Sequence, residues 1–571
     1  MHVYKVGALV GCIASIAVAG PVCPLDGPIF PKPTRLSESE DVKAAVATLN
    51  GLFANITAGA QDYSLSIQVF SVNEPEPIFA LYHTAPSLAG QHSPGVKTVD
   101  ENSVFRLGSL TKIYTIYTFL INAGDSLWNE PVIKYVPELQ ELANRSDPVD
   151  YTAWDDITLG GLATQLTGIP REYALLGELT QSDQKDQVVQ LGFPPLTQEE
   201  KPPCGANPTC TRAQFFTGIG LFYPSLAPFQ TPAYSNVAFQ LLGYALETIT
   251  GKTFQTLVEE TVIKPLALNN TFLRAPQDSR GIIPGNNIET GWAFDIGESV
   301  ATGNMYASAE DLSNLGRAIM SHKLLSPVTT RRWLKPFAFS SDPRAMVGMP
   351  WGARRINVGD PYRWTTAFNK AGNIGDYSAL LAILPDFDIG ITVLSAGTLP
   401  GNLNFGLADI IGEPIIPAIE KAARAEAGAI YSGHYVLPNS RVNSSITITT
   451  DDLPGLSISQ WFSNGTDFAW IATVLQNQYY PVTPRIRLYP SGLEGPAADG
   501  GKRVVFKAMF EDADGPRNEN KVFSTECGSW VTVESVIYGS AAMDELIFNL
   551  DSGGKVVSVT SPSLRITLNK E

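Results

Sequence analysis

Histidine is scarce in this chain of 571 residues: only His2, His83, His92, His322 and His434 occur. They show no metal-ligand spacing, and neither His-Glu-x-x-His nor a Gly-x-Ser-x-Gly elbow is present. Zinc-peptidase and Ser-His-Asp chemistry are therefore unsupported. Glycine loops that would cradle a nucleotide phosphate are missing as well. Charged residues make up just 17%, with 40 Lys and Arg against 56 Asp and Glu, a net charge of −16. That imbalance disfavours nucleic acid or an anionic membrane as a partner. Beyond the first residues no apolar run is long enough to anchor the chain stably in a bilayer. With 44% hydrophobic residues, the chain has the composition of a globular protein and the length for two or more domains.

The N-terminus reads as a signal peptide. Lys5 supplies the positive start and Val6 to Val18 a short apolar core. Ala17-Val18-Ala19 has the small-x-small form, so cleavage is expected before Gly20 and the product is expected to be secreted. Cys12 would be lost, leaving Cys23, Cys204, Cys210 and Cys527, which allow three pairings. Cys204 and Cys210 bracket a short Pro/Gly turn and are the favoured pair; Cys23 with Cys527 follows by elimination. Sequons at Asn55, Asn144, Asn269, Asn443 and Asn464 fit glycosylation on a secretory route.

Ser109-Leu110-Thr111-Lys112 is the most informative stretch. A serine and a lysine three apart share a face in the first turn of a helix. Gly108 permits a sharp entry, and Ile113 to Ile121 continue as a mostly apolar run without a breaker. A serine hydroxyl needs a base to become a nucleophile. A buried lysine can be that base, because burial disfavours its charged form. The same spacing at Ser182/Lys185 and Ser552/Lys555 lies in polar or Gly-rich turns and carries no such helix.

Two further elements follow in order. Tyr234-Ser235-Asn236 precedes a helical run, Val237 to Thr248; in an extended loop its phenol and amide face one side. Lys370-Ala371-Gly372 leads into two strand-like runs, Tyr377–Leu384 and Ile389–Ser395. A strand-borne Lys-x-Gly puts a cation at a cleft edge and lets substrate lie against the backbone.

Taken together, these elements resemble the serine β-lactamase and penicillin-binding-protein superfamily, in particular its class C β-lactamase-related branch. Phe105-Arg106-Leu107-Gly108, Pro131 to Leu139, Ile157 to Leu162, Thr167-Gly168-Ile169-Pro170 and Gly303 to Leu312 agree with that branch in order. The likeness runs from about residue 40 to about 425. It implies that Ser109 is acylated, that Lys112 is its base, and that Tyr234 is the second proton carrier. Asn236 would hold the substrate, and Lys370 would lend positive charge to the Tyr234 phenolate and to a substrate carboxylate. The backbone N–H groups of Ser109 and Asn373 would form the oxyanion hole, with Gly372 allowing close approach. Ala371 departs from the branch, standing where β-lactamases carry threonine or serine. That weakens the case for β-lactams and peptidyl-D-Ala-D-Ala and leaves esters, amides and thioesters.

The implied architecture is α+β. Residues 1–19 form the signal peptide and 20–40 a Pro-rich entry segment. Residues 41–427 form a β-lactamase/transpeptidase-like catalytic domain, an antiparallel sheet flanked by helices with a helical subdomain. Residues 428–571 form a β domain, barrel or sandwich, similar to the lipocalin-like modules of relatives. Helix is expected over Asp41–Leu52 and over Ala418–Ala427, after a break at Pro414 and Pro417. Strands are expected at Ser445–Thr450, Leu456–Phe462, Phe468–Leu475, Arg485–Tyr489, Arg503–Phe510, Trp530–Tyr538, Glu545–Leu550 and Val556–Val559. The long stretch from Pro170 to Tyr234, with Phe215, Phe216, Phe222, Tyr223 and Phe229, either roofs the cleft or packs as a surface excursion. The expected function is that of a secreted serine hydrolase acting through an acyl-enzyme on an ester, amide or β-lactam-like bond of a small-molecule or peptide acyl substrate, without cofactor or metal. Acyl transfer at the same residues and a non-catalytic binding role are the alternatives.

Overall fold

The computed structural model describes residues 23–571 apart from 90–92, 183–184, 360–362, 399–402, 439–440, 479, 481, 498–499, 516–521 and 524–527. The proposed signal peptide and Cys527 therefore lie outside the described residues. In the catalytic region the chain forms helix α1 (Glu40–Gly59) and strands β1 (Tyr63–Ser71) and β2 (Phe79–His83). Helices α2 (Thr111–Ala123), α3 (Arg212–Ile219), α4 (Asn236–Thr250) and α5 (Ala309–Met320) follow. Then come β3 (Ala338–Phe339), β4 (Ala345–Val347), β5 (Gly352–Asn357), β6 (Trp364–Ile374), β7 (Tyr377–Leu384) and β8 (Ile389–Gly397). They make one antiparallel sheet in the order β2-β1-β8-β7-β6-β5-β4-β3.

The alternation in β1 shows how both faces of this sheet are covered. Leu65, Ile67 and Val69 bury against α1 and helix α6 (Leu403–Tyr431). The intervening Ser64, Ser66 and Gln68 are also buried, and Ser313 of α5 donates to Gln68 Oε1 at 2.6 Å. Ser64 and Gln68 are tolerable there because such partners satisfy them, Ser64 Oγ accepting from Ala85 N at 3.0 Å. The far side of the sheet continues into the core shared by α2, α4 and α5.

Helix α6 corrects the expected break. It runs unbroken through Pro414 and Pro417. The prolines deprive the carbonyls of Ile410 and Glu413 of partners, and these residues, half-buried and exposed, lie on the less buried side of the helix. Ile411, Ile415, Ile416 and Ile419 bury on the other side, and that packing outweighs the lost bonds. The first helix likewise extends past Leu52 to Gly59.

Helix α6 delivers the chain into β9 (Gly433–Val436), β10 (Ser445–Thr449) and β11 (Leu456–Ser463). After helix α7 (Phe468–Asn477) come β12 (Pro484–Pro496), β13 (Lys502–Asp512), β14 (Glu545–Leu550), β15 (Val556–Ser561) and β16 (Ile566–Lys570). Their order is β10-β9-β16-β15-β14-β13-β12-β11, and β11 pairs back with β10. The eight strands therefore close into a barrel, which removes exposed sheet edges. Trp461, Phe506, Phe510 and Phe548 fill its interior.

Two expected strands are corrected. Phe468–Leu475 is helical: Asp467 caps it by accepting from Trp470 N, and Ala472, Thr473 and Gln476 bury at helical spacing. Most of Trp530–Tyr538 is a short helical turn and loop, with strand only at Ile537–Tyr538.

Candidate active site

Gly108 enters the Ser109 turn at φ +51°, a conformation that favours glycine. A 3-10 turn over Gly108–Leu110 then feeds α2, so Ser109 and Lys112 share one face as their spacing predicts. Ser109 Oγ accepts from Lys112 Nζ at 3.0 Å and from the Tyr234 hydroxyl at 2.6 Å. Lys112 is completely buried. Its Nζ also donates to Asn236 Oδ1 at 2.6 Å and to the Thr302 carbonyl at 2.8 Å.

This arrangement has a directional consequence. A neutral amine has two N–H bonds and one lone pair. Asn236 Oδ1 and Thr302 O are acceptors, so they take both N–H bonds and leave the lone pair facing Ser109 Oγ. Burial pushes the Lys112 ammonium down from 10.5 to about 7, aided by Arg171 and opposed by Glu172. Near neutral pH the lysine can accordingly exist as a base.

The segment that carries the Thr302 carbonyl is tied to α2 on both sides. Thr115 donates to Ala301 O at 2.6 Å, and Thr111 Oγ1 accepts from Met305 N at 3.0 Å. The buried Arg106 guanidinium binds the Gly291 and Phe294 carbonyls and Asn304 Oδ1. Ser308 caps α5 by accepting from Asp311 N.

Strand β6 brings the third element. Lys370 Nζ donates to the Ala371 carbonyl at 2.6 Å and lies 5.5 Å from the centre of the Tyr234 ring. Burial lowers Lys370 to about 8, with Tyr234 opposing and Lys112 assisting. At Gly372 the strand touches the Ser109 turn. A β-carbon there would lie 2.1 Å from Leu107 O and 2.5 Å from Ser109 N. A β-carbon on Gly108 would lie 2.8 Å from Asn373 N. The backbone nitrogens of Ser109 and Asn373 are thus brought to one place. Ala371 leans against the core on the α1 and α6 side.

Residues 65–411 match the family model described as Beta-lactamase, and residues 423–571 match that described as Beta-lactamase-like-like, C-terminal domain. This chain belongs to the β-lactamase family. It is 29% identical to a "Beta-lactamase-like protein" of Arthroderma benhamiae, with 96% of each chain covered. It is 25% identical to "Probable hydrolase clz13" of Cochliobolus lunatus, over 95% of this chain and 91% of that one. It is also 25% identical to the "D-alanyl-D-alanine-carboxypeptidase/endopeptidase AmpH" of Escherichia coli K12, over 57% of this chain and 80% of that one.

In this β-lactamase-family site, sequence reasoning passed over Arg171 and Glu172. Glu172 Oε2 accepts from Asn236 Nδ2 at 2.6 Å, and the Arg171 guanidinium lies 4.8 Å from the Tyr234 ring centre. The available signal was position: both directly follow Thr167-Gly168-Ile169-Pro170, a landmark of the resemblance. The long excursion divides in two. Phe215 and Phe216 turn inward against Tyr244, whereas Phe222, Tyr223 and Phe229 are exposed. Cys204 and Cys210 form a disulfide. Cys23 is also disulfide-bonded; its expected partner, Cys527, lies outside the described residues. Asn55, Asn144, Asn269, Asn443 and Asn464 are all exposed.

Proposed function

We propose that this member of the β-lactamase family hydrolyses esters, amides or thioesters through an acyl-enzyme on Ser109. The observation that carries the reading is Ser109 Oγ held between Lys112 Nζ and the Tyr234 hydroxyl. Neutral Lys112 takes the Ser109 proton as Oγ bonds to the acyl carbon. The carbonyl oxygen gains negative charge beside the Ser109 and Asn373 amides. As the tetrahedral adduct collapses, Tyr234 gives its proton to the leaving group and recovers one from Lys112. Water then repeats the sequence in reverse roles and frees Ser109. Asn236 and Lys370 hold the substrate. With Ala371 in place of a hydroxyl, donors lacking a carboxylate at that end are the preferred class.

Exposed sequons, disulfide-bonded cysteines and the leader-like first residues support passage through a secretory route. The chemistry is tested by intact-protein mass spectrometry of the wild type and Ser109→Ala after exposure to a fluorophosphonate, a β-lactam, activated esters and thioesters. Mass gain on the wild type alone, mapped to Ser109, is expected. Equal labelling of Ser109→Ala, or none by any donor, sinks the assignment.

A further inference from the structure

Three basic side chains surround the Tyr234 ring. Lys112 Nζ, Lys370 Nζ and the Arg171 guanidinium lie 5.0, 5.5 and 4.8 Å from the centre of the Tyr234 ring. Against them stands one carboxylate. Among the described residues, Glu172 is the only carboxylate whose charge bears on Lys112, and no carboxylate bears on Lys370.

Asn236 bridges this carboxylate to the base, with 2.6 Å from Glu172 Oε2 to its Nδ2 and 2.6 Å from its Oδ1 to Lys112 Nζ. Burial raises the Glu172 carboxyl, while the Asn236 hydrogen bond and Lys112 oppose that shift; once ionised the carboxylate only accepts, and an ammonium only donates, so the amide has one way round. The loop that carries Glu172 does not depend on this side chain. Asn236 N donates to Arg171 O at 2.8 Å, Ser235 Oγ donates to Pro170 O at 2.6 Å, and Gln165 Nε2 donates to Ser235 O at 3.2 Å. The backbone would hold together without the carboxylate, so its placement on Asn236 calls for a chemical reason.

We propose that Glu172 is a positioning residue that acts on Ser109 through Asn236 and Lys112. Its carboxylate sets the polarity of the Asn236 amide and supplies the negative charge that balances Lys112, Lys370 and Arg171. This inference rests on the functional reading above. It carries a sign: without the Glu172 charge the Lys112 ammonium is less favourable, so Lys112 gives up its proton at lower pH. Removing Arg171 has the opposite effect.

The test reads the rate at which a fluorophosphonate modifies Ser109, followed by intact mass from pH 5 to 9. In that step the Ser109 Oγ–P bond forms, the P–F bond breaks, fluoride leaves and the serine proton passes to Lys112. Glu172→Gln is expected to move the rising acidic limb to lower pH by about one unit, the effect of a charge ~7 Å away in a partly screened site. Arg171→Gln, at an exposed position, is expected to move it the other way. Melting temperatures should stay within about 2 °C of wild type, since no buried packing is lost. A limb at the wild-type pH in Glu172→Gln, with Ser109 still labelled, overturns this inference alone. Failure of the wild type to label at Ser109 overturns the functional reading and this inference with it.

Discussion

Replacing Gly372 with alanine adds one methyl group where backbone meets backbone. The new carbon would lie 2.1 Å from Leu107 O, 2.5 Å from Ser109 N and 2.6 Å from Leu110 N. No side chain can swing aside, because all three atoms are main chain. To reach an ordinary carbon–oxygen contact, strand β6 and the nucleophile turn must part by about 1 Å. That gap opens between the Ser109 and Asn373 amides, which sit on the two parting segments. Losing one oxyanion donor costs about 3 kcal/mol in the barrier, or roughly 100- to 1000-fold in kcat. The fold should survive with a loss of about 1–3 kcal/mol from overpacking. The assay is kcat for hydrolysis of an activated ester together with the melting temperature. Gly51→Ala is the control, since a β-carbon there on α1 meets nothing within 4 Å; it should leave kcat unchanged and stabilise by about 0.5–1 kcal/mol. A Gly372→Ala enzyme with kcat within twofold of wild type would refute the placement of the oxyanion hole.

Lys112 carries its proton up to pH 10.5 in the unfolded chain and only to about 7 in the fold. Between those values the unfolded state binds more protons, so native stability rises with pH across that window and is lowest below 7. Lys112→Met removes this slope: its stability relative to wild type should grow by about 1.4 kcal/mol for each unit from pH 10 down to 7, read by denaturant melts. A gap that does not change with pH would mean the lysine stays charged. Glu420 on α6 meets Arg363 just before β6 at 2.7 Å, with side chains 7% and 1% exposed. Glu420→Ala takes one of two carboxylates from a buried guanidinium and leaves Asp386 at 3.4 Å, so it should cost about 2–3 kcal/mol; a loss under about 1 kcal/mol in equilibrium unfolding would contradict that account.

Much of the site was legible because its chemistry is locally encoded. Ser109 and Lys112 are one helical turn apart, so their spacing alone put them on one face. Tyr234-Ser235-Asn236 and Lys370-Ala371-Gly372 carried weight through their order along the chain. Local patterns misled where two codes overlapped. Phe468–Leu475 reads as a strand by its apolar content, yet the Asp467 cap and helical burial period decide for helix. Pro414 and Pro417 read as a break, but an isoleucine-rich face buried against the sheet holds the helix through them.

The sequence by itself determined that Ser109 and Lys112 share a helix face, and it determined the succession of elements, because these depend on contacts a few residues apart or on the order of motifs. The tertiary structure alone decided the rest. It set Glu172 against Asn236 across 64 residues, Lys112 against the Thr302 carbonyl across 190, and Gly372 against the Ser109 turn. It also closed β10 onto β11 to make a barrel and not a sandwich. Each of these follows from which surfaces pack together, and residues far apart in the chain give no local signal of that.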